Sequence, residues 1–463
     1  MKEMKENLSA AENKRRAVNR NALLSVLFAT ILIIAFFLGY FVRGYSEPAY
    51  ARKISEIIKL INSMSVYPSE QSADDLARKL LKDVLKDDKY AYYYTAEEYK
   101  KILEEDKGNY SGIGAAFSQD GKIAKVYLNS PAYNNGEGLK LGDKLLAGKY
   151  KGDEEYTDFQ EKLNTENFAV HDYAKKTILD VYTEFFSEFE LNEVFKVKVE
   201  RDGEPLEFEL SKQNYVVSYV EYFDDEKYYY FSTDEDGFSG RQSDEKFISG
   251  LSGDTAYIKL YEFEGGAAVQ FAEALSFMRE RGKSKLILDL RDNGGGLINV
   301  LLDIASYLIT DENGSSGLKV VKVKEKDATT HYSTSSNRFS GDITDISVIA
   351  NKNTASAAES LIGALNDYGD KDLFGGAAFS LDRLILTEAD ENGVYRTFGK
   401  GIMQTTIRLN TGGALKLTTA YIYWPLSNPE ICVQDTGIET TDEFNRVSDE
   451  DAISRADEVL HAE

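Results

Sequence analysis

Cysteine is almost absent: Cys432 is the only one in 463 residues. A single thiol builds neither a disulfide framework nor a cysteine-based zinc site. Histidine is nearly as scarce. His171, His331 and His461 are far apart, so no imidazole cluster for a metal is in view, and only carboxylate sites for calcium stay open. No metal and no organic cofactor is expected. Positive charge is also short, with 54 Lys and Arg against 78 Asp and Glu, a net charge of −24. Nucleic acid is therefore not an expected partner, because phosphate binding needs a basic face. What is abundant is apolar residues, at 42% of a chain long enough for two or three domains.

The N-terminus carries a topological signal. From Asn21 to Val42 no residue is charged, and Leu, Ile, Val and Phe dominate. That length spans a bilayer as a helix. Lys14, Arg15, Arg16 and Arg20 crowd its N-terminal side, which puts the short tail at 1–20 in the cytoplasm and the rest outside. Ala49-Tyr50-Ala51 has the look of a signal-peptide cleavage site. The apolar run is too long for an h-region, however, and ends well before that point. The expectation is an uncleaved single-pass anchor at 21–42 in the cell membrane, with the bulk of the chain extracytoplasmic.

Residues 43–107 read as a helical arm, since Ile54, Ile57, Ile58 and Ile61 and then Leu76, Leu80, Leu81 and Leu85 follow helical spacing. Such an arm could serve homo-oligomerisation. The texture changes near Gly108. Gly112-Ile113-Gly114 leads into short strand-like runs, followed by Ser130-Pro131-Ala132 and Leu141-Gly142-Asp143. Phe195, Val197 and Val199 alternate with polar residues, turn at Asp202-Gly203 and return through Leu206, Phe208 and Leu210, a hairpin signature. Together, residues 108–213 resemble a PDZ domain. The resemblance implies that Gly112, Ile113 and Gly114 offer backbone N–H groups to a peptide's terminal carboxylate, and that the peptide adds as a strand. The stretch from Gly152 to Glu190 is longer and more acidic than that family's pattern. Residues 221–249 read as an irregular hairpin or loop.

From Thr255 an α/β rhythm begins. Strands at 256–260, 285–290 and 346–350 alternate with helices at 267–281, 297–308 and 357–365, which implies parallel strands with helical crossovers. A polar stretch at 312–341 is read as a hairpin or loop.

Three stretches carry candidate chemistry. The first, Leu286 to Gly296, is an apolar strand running through Asp289-Leu290-Arg291-Asp292-Asn293 into three glycines. It lacks the Gly-Lys-Ser/Thr of a P-loop and does not match GxGxxG, so nucleotide binding is a poor fit. In the second, Thr354-Ala355-Ser356-Ala357-Ala358-Glu359, small residues surround a serine just after a strand and before a helix. That suits either an exposed nucleophile or an ordinary N-cap. The third, Phe398-Gly399-Lys400-Gly401-Ile402-Met403-Gln404, sets a lysine between glycines. Such a lysine is either a surface turn residue or, in a dry place, a base with lowered pKa.

In this order the three stretches resemble the S41 family of C-terminal processing serine proteases. The resemblance covers about 108–442, and the arm and anchor fit it. It implies a multidomain α/β and α+β architecture: transmembrane helix, helical arm, β-rich PDZ-like domain, α/β protease core at 214–445 and a polar tail at 446–463. It further implies that Ser356 is the nucleophile, Lys400 the general base and Gln404 the group that orients the lysine. Ala357 with Gly295 or Gly296 would form the oxyanion hole. The partners implied are protein or peptide substrates with free C-termini. Ala358 and Gly294 depart from the family's usual serine and proline. The Ser356–Lys400 spacing is longer than typical, with the excess at 377–396, where Asp390-Glu391-Asn392-Gly393 reads as the turn of an inserted hairpin, there either to gate the site or to hold Lys400 away until substrate binds. The competing functions are a non-catalytic, membrane-tethered PDZ scaffold and a Ser-His-Asp hydrolase. None of the three histidines stands in a catalytic setting.

Overall fold

The structure, a computed structural model, describes Lys53 and residues 73–462, without 87, 106–108, 119, 129, 135–136, 169–175, 224–227, 235–236 and 244–249. The expected anchor at 21–42 lies outside the described residues. Among the described residues no helix is long and apolar enough to cross a membrane. The chain divides into units at 1–79 and 80–463. A helix, Ala73–Val84, has Asp74 and Asp75 in its first turn and Lys82 in its last, the order the helix dipole favours.

The arm is not helical throughout. Tyr92–Tyr94 form a strand, β1. Three successive tyrosines suit an extended, half-buried backbone better than a helix, and β1 finds a partner in the core. A helix, Ala96–Glu105, follows. Thr95 and Glu98 open it with a reciprocal capping box, each side chain accepting from the other's N–H at 3.2 and 2.8 Å.

Residues 109–216 form a β-rich body with its own core. Its strands are β2 (Asn109–Gly112), β3 (Ala115–Phe117), β4 (Ile123–Val126), β5 (Lys144–Gly148), β6 (Thr157–Asp158), β7 (Val194–Arg201), β8 (Glu204–Ser211) and β9 (Gln213–Val216). They pair as β6-β5-β7-β8, β3-β4 and β2-β9. Phe195, Val197 and Val199 are buried on β7, as their alternation predicts. The acidic stretch after Gly152 carries two helices, Phe159–Asn167 and Ile178–Ser187. Phe185 meets the rings of Phe159, Phe189 and Phe195 at 5.1, 5.2 and 5.7 Å. Buried Asp143 receives a two-pronged Arg201 fork at 2.8 and 2.7 Å, so the Leu-Gly-Asp element fastens the end of the β7–β8 hairpin.

The remaining strands are β10 (Val220–Phe223), β11 (Tyr228–Asp234), β12 (Gly237–Ser243), β13 (Thr255–Leu260), β14 (Lys285–Asp289), β15 (Lys319–Glu325), β16 (Thr329–Ser333), β17 (Asp345–Asn351), β18 (Leu384–Thr387), β19 (Ile402–Arg408), β20 (Ala414–Tyr423) and β21 (Arg446–Val447). Eight form one sheet in the order β12-β11-β10-β13-β14-β17-β18-β21. The run from β13 to β21 is parallel, as the strand–helix rhythm predicts. Its central strands are near-continuous apolar runs because helices cover both faces. A second sheet, β1-β20-β15-β16 with β19 also on β20, stands beside it.

Hairpins stand where they were expected: β11 pairs with β12 within 221–249, and β15 with β16 within 312–341. Other segments differ from expectation. Residues 377–396 do not form an inserted hairpin. Leu384, Ile385 and Leu386 are fully buried in the main sheet as β18, where burying three large aliphatic side chains outweighs any surface role. The turn at Asp390–Gly393 closes on its own residues, with the Asp390 carboxylate accepting from the N–H groups of Asn392 and Val394. The C-terminal stretch is not merely a polar tail. Helix Ala452–His461 buries Ala452, Ala456 and Leu460, a stripe spaced by four, while Asp457 accepts from Ser252 and Thr255.

Candidate active site

The glycine turn after β14 is held from both ends. Asp289 is fully buried, and Arg291 and the Tyr257 hydroxyl donate to it. Asn293 is buried as well. Its amide donates to the Leu260 carbonyl at 2.8 Å and its oxygen accepts from Gly295 N–H at 2.9 Å. The Asn293 carbonyl accepts from Ala355 N–H at 2.9 Å, which brings the two turns together. Gly295 has φ +100°, and a Cβ there would stand 2.7 Å from Ser356 Cβ and 2.8 Å from the Ala357 nitrogen. Only glycine permits so close an approach.

Ser356 precedes helix Ala357–Tyr368 with φ 58° and ψ −114°, a backbone state that non-glycine residues rarely adopt. The strain is sustained by its surroundings, as at the sharp strand-to-helix turns that expose a nucleophile. Thr354 anchors one side through its hydroxyl to the Leu290 carbonyl at 2.8 Å. Glu359 anchors the other by accepting from Ser356 N–H at 2.8 Å.

Glu359 also fixes the lysine loop. Its completely buried carboxylate accepts from the Thr397 hydroxyl at 2.6 Å and from the N–H groups of Gly399 and Lys400, both at 2.8 Å. Burial pushes its pKa above the ordinary carboxylate value, while those four donors pull the other way. Lys400 thus enters the same cleft as Ser356, a cavity of about 800 Å³. Burial lowers the pKa of Lys400 below the ordinary lysine value, Lys416 adds repulsion, and Glu359 opposes both. Among the described residues no hydrogen bond joins Ser356 to Lys400.

Gln404 also lines the cleft, but its amide nitrogen donates to the carbonyl of Tyr90 at 2.8 Å. Of the three proposed oxyanion donors, Gly295 N–H is already committed to Asn293. The N–H groups of Gly296 and Ala357 have no such bond among the described residues, and both residues line the cleft. The Gly112-Ile113-Gly114 loop lies elsewhere, in the 109–216 body. Its Ile113 carbonyl accepts from Ala132 N–H at 2.7 Å, and the Gly114 carbonyl accepts from Tyr127 N–H at 2.9 Å. That body does reach the cleft through Tyr110 and Tyr127.

Comparison with known proteins bears on this arrangement. The model of peptidase family S41 matches residues 254–384. That likeness supports an S41 C-terminal processing protease. A relative named "Probable CtpA-like serine protease" from Staphylococcus aureus is 25% identical over 425 residues, covering 88% of this chain and 69% of the relative. One of the same name from Staphylococcus saprophyticus is 23% identical, covering 91% and 73%. The solved photosystem II D1 C-terminal processing protease aligns with TM-score 0.48 and 18% identity, over 88% of this chain and 93% of that one. The S41 match includes Gly295, Gly296, Ser356 and Ala357, whereas Lys400 and Gln404 lie beyond it. The chain is a serine-type peptidase.

Sequence reasoning quoted Glu359 as part of a motif but gave it no role. Its place three residues after Ser356 is the capping-box spacing, a signal that was available. Tyr90 carried no signal, being 314 positions from the glutamine it meets. Replacing Glu359 with Gln puts an NH2 where two of the four donors converge. Glu359→Gln is expected to lose on the order of 3 kcal/mol of stability in urea unfolding and most fluorophosphonate labelling of Ser356. Unchanged stability and labelling would show that the carboxylate does not brace the site.

Proposed function

We propose that this chain is a membrane-anchored endopeptidase that processes extracytoplasmic proteins near their C-termini with a Ser356–Lys400 pair. The observation that carries the pair is Glu359, which binds the backbone of both residues at one end of one cleft. In the proposed reaction neutral Lys400 takes the Ser356 proton as Oγ attacks a peptide carbonyl. The tetrahedral oxyanion accepts from the N–H groups of Ala357 and Gly296, each worth about 3 kcal/mol of barrier. The ammonium of Lys400 then returns the proton to the leaving amine, and water repeats the cycle on the acyl-enzyme. Gln404 orients the lysine side of the pair.

Ser356→Ala and Lys400→Ala are each expected to abolish cleavage of an unfolded protein substrate without loss of fold, and Gln404→Ala to lower it less. Because only neutral lysine acts as base, kcat/KM is expected to rise with pH through a pKa below the ordinary lysine value. Near-wild-type cleavage by either alanine variant would remove that residue from the reaction.

The 109–216 body is proposed as a PDZ-type module that captures a free C-terminus. Among the described residues β3 pairs only with β4, which leaves one strand edge open for addition. On this reading the Phe117 contacts with Tyr182 and Phe186, at 5.2 and 6.1 Å, must part to admit a peptide. One substrate with a free C-terminus should be cleaved faster than its amidated form, and deletion of 108–213 should erase the difference. Equal rates in the intact protein would sink carboxylate capture.

The membrane reading rests on the uncharged run from Asn21 to Val42 and its basic N-terminal flank. Protease added outside intact cells should remove an epitope placed near Glu463. An epitope protected until lysis would reverse the topology.

A further inference from the structure

The segment Asp88–Tyr94 lies outside both the S41 match and the β-rich body, yet it is fastened across the sheet that carries the lysine loop. The Asp88 carboxylate accepts from the N–H and the hydroxyl of Thr418, both at 2.9 Å, and from Tyr90 N–H at 3.2 Å. Lys89 pairs with Asp435 at 3.5 Å. Strand β1 then aligns Tyr92 with Lys416 and Tyr94 with Ala414. On the opposite edge of β20, Thr418 is the register partner of Gln404, beside a bulge between Met403 and Gln404. Bulges re-aim side chains and often border functional sites.

Between these fastenings Tyr90 meets the proposed machinery twice. Its carbonyl accepts from Gln404 Nε2 at 2.8 Å, and its ring centroid lies 5.2 Å from Lys400 Nζ. We infer that Tyr90 is a positioning residue for the lysine base, holding the ammonium over its ring face and fixing Gln404 through its carbonyl. This rests on the Ser356–Lys400 reading above. A ring face attracts an ammonium and not a neutral amine. Tyr90 therefore stabilises the charged lysine that forms when Ser356 gives up its proton, and burial by its neighbours keeps the resting lysine easy to deprotonate. The other charged groups around Lys400 are Lys416 on β20, Glu359 beneath its loop, Lys89 at 5.1 Å from the same ring, and Glu262 and Glu264 in the cleft wall.

The test is the pH dependence of fluorophosphonate labelling of Ser356 in the full chain, which reads the base without peptide binding. Tyr90→Leu keeps an apolar cover but removes the ring face. Its labelling should start at a pH lower by about half a unit and reach a plateau about two- to fivefold below wild type. Tyr90→Phe keeps the face and should leave the pH midpoint in place. A purely structural Tyr90 would lower labelling at every pH without moving the midpoint. An unmoved midpoint in Tyr90→Leu, or an equal shift in Tyr90→Phe, overturns the inference. Lys400→Ala serves as the reference. If it does not label while the Tyr90→Leu midpoint stays in place, only the Tyr90 inference falls. If it labels like wild type, the lysine-base reading falls and takes the Tyr90 inference with it.

Discussion

One buried carboxylate ties the candidate site together. Glu359 accepts four hydrogen bonds, and their donors come from the turn before its own helix and from a loop 41 residues further on. Each oxygen takes two. No neutral side chain of that size offers four acceptor positions at this spacing. Burying a carboxylate is costly unless donors surround it, and here the donors are the backbone atoms that place Ser356 and Lys400. The stability of the carboxylate and the geometry of the site are therefore one problem with one solution. A shift of the lysine loop would strip a buried charge of its partners, so the loop has a steep restoring force.

The glycine turn meets this unit from the other side. Its position follows from the parallel sheet, since β14 and β17 are neighbours and each ends in a turn at the same edge. The link between the Asn293 carbonyl and Ala355 N–H, with Gly295 against Ser356, makes the two turns a single surface. Spending Gly295 N–H on Asn293 stiffens the turn and leaves the next N–H, from Gly296, for the cleft. Rigid donors of this kind act on developing charge without reorganising first.

The parallel core was legible in the sequence because its strands are unbroken apolar runs and its helices have a clear stripe. The turns that carry Ser356 and Lys400 were legible as turns, but a capping serine and a surface lysine look the same locally, so their roles came only from the resemblance. What escaped was whatever depends on partners distant in the chain. Leu384-Ile385-Leu386 lay within the excess spacing at 377–396 and was read as part of an insertion. Nothing local says that a slot beside β17 awaits it. Tyr92–Tyr94 sit between helical patterns, and their strand exists because β20 offers an edge. The stretch 446–463 hides three buried apolar residues among eleven charged and polar ones, so composition masked a stripe that spacing alone would reveal.

Strand β20 is where these distant pieces converge. It carries Lys416, which repels the lysine charge, and holds β19 with Gln404 on one edge. Near its start it takes β1, and near its end β15. The environment of Lys400 is thus assembled from the lysine loop, the second sheet and the segment ahead of the β-rich body. That body in turn sends Tyr110 and Tyr127 into the same cleft. The Lys125–Glu262 ion pair adds a charged contact between the β-rich body and the cleft wall. On the proposed reading of the 109–216 body, a peptide parting β3 from the helix Ile178–Ser187 would load that contact and the two tyrosines together.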